Sequence, residues 1–305
     1  MPAVTVVGSF AVGLTLRAAR WPIAGETVLA SDFDQGPGGK GSNQAVQVAR
    51  MGTPVEFVGV IGDDALGDIA IELYKQEAVA TSYLRRTPER NTGVGFIILD
   101  AAGENRIFLD PGANELLSTG DVDRAGEAIG RSDVIITQLE VPVEAAAAAL
   151  KNARAAGTTA ILNPAPARAV DSTILEVCDV VTPNQSEARI LLGLPPDDPI
   201  DDLDVCEKLL AKGVRSVVLT RGGEGAVVAT PEGSGAIPAP SVEVVDTTGA
   251  GDAFNGTLAA ALADGYELPD AVERAARAGA LACTRLGVIP GLPTREALED
   301  FSSHR

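Results

Sequence analysis

Between Asp121 and Gly225 short β-branched runs alternate with longer stretches of helical spacing, a pattern that few folds accept. Strands are expected at Val134–Thr137, Thr159–Leu162, Val180–Thr182 and Ser216–Leu219. Helices are expected near Val122–Gly130, Val143–Ala156, Gln185–Leu192 and Leu203–Lys212. A helix in each connection lays the next strand parallel to the last, and a strand apolar on both sides must be covered on both sides. The chain is therefore predicted to be α/β, a mostly parallel sheet covered by helices on both faces. Upstream, Val4–Val7 and Val55–Ile61 read as further strands, with helices at Ser42–Met51 and Ala65–Glu77. No linker or internal repeat interrupts the alternation, and Pro195–Pro199 is read as a surface loop, so residues 1–305 are predicted to form a single domain.

Two pieces do not fit the alternation. Thr27–Phe33 reads as a strand outside the main sheet, and Gly93–Leu99 with Asn105–Leu109 reads as a hairpin about the turn Asp100–Gly103.

The stretch from Val242 to Gly256 is the most chemically informative. A β-branched run, Val242–Val245, reads as a strand ending at Asp246. Thr247, Thr248, Gly249, Ala250 and Gly251 follow, and then a small-residue helix to Asp264. Gly249 and Gly251 let a ligand approach the backbone, and the free N–H groups of a first helical turn make an anion hole. Asp252 is then out of place, because a carboxylate repels an anion unless it has separate work. It could be a general base for a hydroxyl attacking a phosphoryl group, or it could simply cap the helix.

A second glycine-rich stretch, Gly36–Gly41 with Lys40, is read as a loop before a helix, suited to sugar hydroxyls or a phosphate, or else as a tight turn with a solvated lysine. It is not a Walker A loop, since Asp34 and Gly41 stand where that pattern needs Gly and Ser or Thr. The turn after Val4–Val7 lacks G-x-G-x-x-G, so a dinucleotide site there is unsupported.

Bulk properties exclude several classes. A net charge of −18 argues against nucleic acid as a partner. No apolar run reaches the ~18 residues that span a membrane, and Val4 follows the start without a basic leader, which predicts a cytoplasmic protein. Cys178, Cys206 and Cys283 are widely spaced and suggest neither a disulfide framework nor a zinc site. His304 is the sole histidine, so a Ser-His-Asp triad and an H-E-x-x-H site are both excluded, and acid–base chemistry falls to other groups. Sites in such sheets lie beyond the carboxyl ends of strands, where Glu140, Asn184, Thr220–Gly225 and Asp252 all fall. Taken singly, Glu140, Asn184 and Thr220 read more readily as caps or loop residues, and only their joint placement at strand ends points to a site.

Asp246-Thr247-Thr248-Gly249-Ala250-Gly251-Asp252-Ala253-Phe254-Asn255-Gly256 resembles the C-terminal signature of the ribokinase (pfkB-type) carbohydrate kinases, and Gly36–Ala45 resembles their N-terminal signature. Asn163–Arg168 and Thr182–Glu187 fall where ribokinases carry similar segments, so the resemblance runs from Val4 to Pro293. It implies that Asp252 is the base, and that the amides of Gly249, Ala250 and Gly251 hold the transferring phosphoryl charge. Gly39, Lys40, Gly41, Asn43, Glu140 and Asp252 would meet the sugar. Asn184, Thr220, Gly222, Gly223, Gly225 and Gly251 would line an ATP site, with Mg²⁺ supplying counter-charge. Asp246, Thr248, Ala282, Arg285, Gly287 and Gly291 match positions that bind a monovalent cation, K⁺, in ribokinases. The two outlying β pieces, 11–35 and 91–110, become a small β lid over the sugar that commonly also forms a dimer contact.

The chain departs from the family at one place. Ribokinases usually carry Asn and Asp just after strand one, touching sugar hydroxyls, where this chain has Ala11 and Gly13. That puts ribose in doubt as substrate. Arg17 and Arg20 lie nearby and would suit an acidic sugar, or else are solvated surface residues. The expected activity is ATP-dependent phosphorylation of a primary hydroxyl of a sugar. The rivals are a nucleoside kinase, with Phe10 to stack on the base, and a catalytically weak binding or regulatory protein on the same fold.

Overall fold

The computed structural model describes residues 3–100 and 105–303. Strand β1 (Val4–Val7) leads into β2 (Ala11–Ala18) and β3 (Ala30–Gly38), and helix α1 (Lys40–Arg50) follows. Then come β4 (Val55–Gly62), α2 (Ala65–Gln76), β5 (Ala80–Thr87), β6 (Gly93–Leu99) and β7 (Asn105–Asp110). The chain continues through α3 (Thr119–Arg124), α4 (Gly126–Arg131), β8 (Val134–Thr137), α5 (Val143–Ala156), β9 (Thr159–Leu162), α6 (Ser172–Leu175) and β10 (Val180–Val181). Next are α7 (Gln185–Leu191), α8 (Asp202–Leu210), β11 (Ser216–Thr220), β12 (Ala226–Thr230) and β13 (Gly233–Ile237). Helices α9 (Ala250–Ala263), α10 (Leu268–Ala282), α11 (Val288–Gly291) and α12 (Arg295–Ser303) complete it.

Among the described residues these strands form a nine-stranded sheet in the order β13-β12-β11-β10-β9-β8-β1-β4-β5, and a separate four-stranded sheet in the order β3-β2-β6-β7. The large sheet is parallel except at β12 and β13. Alternation along each strand feeds two cores. Val4, Val6, Val134 and Ile136 enter one, with residues of α1, α9 and α10. Val7, Ile135 and Val58 enter the other, with residues of α5 and α8. Both faces are thus covered, as the unbroken apolar runs require. From β1 the chain moves to β4 and β5 on one side and then returns to β8, β9, β10 and β11 on the other. The switch point lies between β1 and β8, and in sheets of this kind ligands bind outside the carboxyl ends of the strands there.

Several expectations need correction. Val242–Val245 is not a strand: the segment is irregular, and Val244 and Val245 are 60% and 58% exposed. It joins neither sheet; Val245 and Asp246 instead donate to Cys283 O. The loop expected at Gly36–Gly41 is nearly absent. Gly36–Gly38 finish β3, and α1 begins at Lys40 instead of Ser42, turning on Gly39 at φ 89. A Cβ at Gly39 would stand 2.8 Å from Ala11 N, so glycine is required for both conformation and space. The strand expected at Thr27–Phe33 lies at Ala30–Gly38, and the helix expected over Val122–Gly130 divides at Ala125 into α3 and α4. Strand β2 falls within the β lid expected over 11–35, while strands β5, β12 and β13 and helices α6, α10, α11 and α12 lie where no element is expected. The hairpin strands form as β6 and β7, but most of their turn, 101–103, lies outside the described residues.

Candidate active site

Asp252 sits in the first turn of α9 and is 6% exposed. Its surroundings follow from one helix contact. Gly256, one turn further on, lies against α1 so closely that a Cβ there would fall 2.7 Å from Gln44 O and 2.6 Å from Gln47 Cβ. That approach brings the second turn of α1 to the carboxylate. Asn43 Nδ2 donates to Asp252 Oδ2 at 2.8 Å, and Gln44 Nε2 donates to Oδ1 at 3.0 Å. The first turn of α9 also supplies the positive end of its dipole.

Around this carboxylate the site gathers one cation and further carboxylates. Ser9, just after β1, donates from Oγ to Glu140 Oε2 at 2.6 Å, spanning the switch point between β1 and β8. The same carboxylate oxygen accepts from Lys40 N at 2.8 Å, so Glu140 fastens the start of α1. Burial pushes the Asp252 carboxyl above its ordinary range, against the opposing pull of Lys40, Asn43 and Gln44. Burial also works against the Lys40 ammonium, but Asp252, Glu140 and Glu187 outweigh it and raise its pKa. Lys40 is therefore a firmly held cation among carboxylates. Asn43 Oδ1 and Gln138 Oε1 are buried acceptors without a hydrogen-bond partner in the structure.

The glycine turn ahead of α9 has Gly249 at φ 82, where a Cβ would meet Val288 Cγ1 at 2.8 Å. Ala250 N donates back to Thr247 O at 3.2 Å, so of the three amides expected in the anion hole this one is engaged. Gly251 is exposed, with open space before it.

Asn184 is the N-cap of α7 in a reciprocal capping box with Glu187, and it bridges to Thr220 at the end of β11. Its Oδ1 accepts from Glu187 N at 2.8 Å, which accounts for that oxygen. Gly222 and Gly223 are exposed in a short 3-10 turn with open space before them. Gly225 is buried, and a Cβ there would fall 2.0 Å from Ile237 O.

The residues expected at a cation site also come together. Asp246 Oδ1 accepts from Thr248 N and Oγ1 at 2.9 and 2.7 Å, and Oδ2 accepts from Gly287 N at 2.9 Å. Gly291 lies against the carbonyls of Ala282 and Arg285, which a Cβ would approach to 3.0 and 3.8 Å.

Three other candidates look different in the fold. Phe10 is 1% exposed and packs edge-on against Tyr74, so it belongs to the core and has no free face for a nucleobase. Arg17 faces Asp32 at 4.0 Å, and Arg20 pairs with Glu26, so both cations already have partners. Ala11 and Gly13 lie on β2 in register with Gly38 and Gly36 of β3 and with Gly93 and Gly95 of β6. On the face that carries Ala11 and Gly13, this end of the small sheet is almost bare of side chains.

Sequence reasoning missed Ser9, Gln44 and Gln138 as members of this site. A polar residue directly after a buried strand was the available signal for Ser9 and Gln138. For Gln44 the only signal was its place beside Asn43 within the N-terminal glycine-rich motif. A separate cavity of about 470 Å³, lined by Ile237, Pro240, Glu273 and Phe301 among others, shares no residue with the site.

Comparison with known proteins agrees with this arrangement. Residues 1–295 match the pfkB family of carbohydrate kinases. The chain is 35% identical over 295 residues to a ribokinase of Staphylococcus aureus, covering 96% of this chain and 97% of that one. It is 34% identical over 301 residues to a deoxyribokinase of Salmonella typhi, covering 98% of each. A bifunctional ribokinase/ribose-5-phosphate isomerase A of Fructilactobacillus sanfranciscensis is 36% identical over 98% of this chain, which spans 56% of that longer protein. Among solved structures, an Arabidopsis thaliana ribokinase complexed with ribose and ATP superposes with a TM-score of 0.91 at 29% identity, covering 98% of each chain. With a family match spanning nearly its whole length and both glycine turns flanking a buried aspartate, the chain belongs to the pfkB family of carbohydrate kinases.

Proposed function

We propose that the chain is an ATP-dependent sugar kinase that moves the γ-phosphoryl group to a primary hydroxyl of a pentose or related small carbohydrate. Asp252 carries this reading, as a buried carboxylate at a helix start beside glycine backbone, with Lys40 within charge reach. A carboxylate with an elevated pKa is suited to accept the hydroxyl proton as that oxygen attacks phosphorus. The amides of Gly249 and Gly251 would then face the charge that develops on the transferring group, and Ala250, whose amide is bonded to Thr247 O, would join them only by giving up that bond. Thr220, Gly222, Gly223, Gly225 and Asn184 would hold ATP, and Mg²⁺ carried with the phosphates would offset their charge. The open space at Gly222, Gly223 and Gly251 fits such a ligand.

Gly39, Lys40, Gly41, Asn43 and Glu140 would hold the sugar. Asn43 Oδ1, a buried acceptor beside the base, suits a sugar hydroxyl that donates to it. Asp246 with Thr248, Ala282, Arg285, Gly287 and Gly291 would hold K⁺ and so order the turn at Gly249. We read residues 1–305 as one kinase domain whose lid, 11–35 and 91–110, joins a second copy in a homodimer. The exposed Phe33, Phe96, Ile107, Phe108 and Leu109 support that contact. No described helix is long and apolar enough to cross a membrane, and use of ATP fits a cytoplasmic enzyme.

The test is ATP consumption with ribose, deoxyribose, fructose, sugar acids and adenosine, each in potassium and in a bulky organic cation at matched ionic strength. Sugar-dependent turnover that rises in potassium is expected. Turnover with adenosine alone, or with no acceptor tried, would defeat the sugar-kinase reading, and equal rates in the two cations would defeat the K⁺ site.

A further inference from the structure

The bonds around Asp252 continue into a buried chain that runs in a single direction. Gln138 Nε2 donates to Gln44 Oε1 at 2.5 Å, Gln44 Nε2 to Asn163 Oδ1 at 3.1 Å, and Asn163 Nδ2 to Thr182 O at 3.1 Å. Thr182 Oγ1 then donates to Asn255 Oδ1 at 2.5 Å, and Asn255 Nδ2 to Gly251 O at 2.8 Å. Exposure is 0% for Gln138 and Gln44, 6% for Asn163, 1% for Thr182 and 3% for Asn255. The chain starts beyond β8, crosses to α1, passes the ends of β9 and β10, and finishes in the backbone beside Asp252.

Its direction has a cause. An ionised carboxylate only accepts, so Gln44 must turn its NH₂ to Asp252, and that leaves its Oε1 for Gln138, which must donate. The second N–H of Gln44 makes Asn163 accept, which leaves the Asn163 NH₂ for the Thr182 carbonyl. Asn255 gives its NH₂ to Gly251 O, so the Thr182 hydroxyl must donate to it. A protonated Asp252 would carry an O–H while both of its oxygens already face amide donors. The arrangement favours the acceptor form of a carboxylate that burial alone disfavours.

We propose that Gln44 is a positioning residue that holds Asp252 aimed and in its acceptor form, and that the chain from Gln138 to Asn255 ties the base to the anion-hole backbone as one unit. The inference rests on Asp252 being the base of a kinase. The charged groups near Asp252 are Lys40 on α1, Glu140 after β8 and Glu187 on α7, and none of them belongs to the chain.

Gln44→Met keeps the size of the side chain and removes its polar atoms. The expected result is a carboxyl titration of Asp252, followed by ¹³C NMR and assigned with Asp252→Asn, that moves up by about one pH unit or more. The acid limb of sugar-dependent kcat/KM should move with it, and kcat should fall about 10–150-fold with the sugar KM changed only a few-fold. An unmoved titration in folded Gln44→Met overturns the role of Gln44. Thr182→Val touches neither Asp252 nor Gln44, and should lower kcat without moving the acid limb. In a double-mutant cycle with Gln44→Met its effect should be non-additive. Strict additivity, or an unchanged kcat in Thr182→Val should Gln44→Met fail to fold, overturns the unit. A shifted Asp252 titration in a protein that phosphorylates no sugar keeps the hold of Gln44 on Asp252 and removes the kinase reading, and with it the catalytic role of the unit.

Discussion

The body of the molecule and its lid are built on different physical terms. In β1, β4 and β8 every residue is buried, and the side chains alternate between two cores. In the lid, Phe96 pairs across the strands with Phe108 and Ile97 with Ile107, yet Phe96, Ile107 and Phe108 are 46%, 58% and 64% exposed. Apolar surface of that kind on a sheet needs a partner or a ligand to cover it. The polar groups are distributed the opposite way. The body holds a connected, buried set of carboxylate and amide groups, and the lid beside it offers Ala11, Gly13, Gly36 and Gly95. Under the proposed function the comparison separates two tasks: rigid placement of reacting groups in the packed body, and substrate choice and association in the lid.

The largest effect should come from breaking the body side. Asp252→Asn is expected to retain ATP binding and to lower turnover by roughly 10²–10⁴, the usual contribution of a general base. Nucleotide titration alongside steady-state kinetics checks this, and a variant within a few-fold of the parent would reduce Asp252 to a helix cap. A smaller effect should come from sharpening the lid side. The double change Ala11→Asn with Gly13→Asp is expected to improve ribose kcat/KM by about 10–150-fold, the worth of one charge-assisted hydrogen bond, and to impair the true substrate. Gly13 has only Gly36 O at 3.7 Å and Ile97 Cδ1 at 3.8 Å near its Cβ position, so the longer side chain has room. A parent enzyme already efficient with ribose, and a double variant that loses it, would refute this view of the lid. The smallest effect concerns association. Phe108→Asp should weaken self-association on the order of tenfold without loss of secondary structure, since burying one large apolar side chain is worth about 1.5–3 kcal/mol. Sedimentation across a concentration series measures it, and an unchanged dimer would place the interface elsewhere.

The sequence was most legible where a pattern is local. Val134–Thr137 and Thr159–Leu162 form as expected because a buried parallel strand must be apolar on both faces. Val143–Ala156 forms its expected helix, ending at Gly157 in the left-handed region. Gly249 to Asp252 was legible because a glycine turn before a helix has few other uses. The missed β5 is half-buried and polar, and the missed β13 is exposed and glycine-rich, so neither carries an apolar period to read. Val242–Val245 had the composition of a strand and lacked a neighbour.

The chain by itself determined the parallel sheet, the helix start after Gly249 and the two glycine-rich motifs that resemble those of the carbohydrate kinases, the family it matches. Only the tertiary structure decided that Phe10 is core, that Arg20 is spent on Glu26, and that Gln44 reaches Asp252, a residue 208 positions away. It also decided the direction of the amide chain, because three of its bonds join residues 94, 119 and 73 positions apart in sequence. Periodicity and capping are set within a few residues of the backbone. Which side chains meet depends on how closely helices pack, here on Gly256 against α1, and that distance is a property of the folded whole.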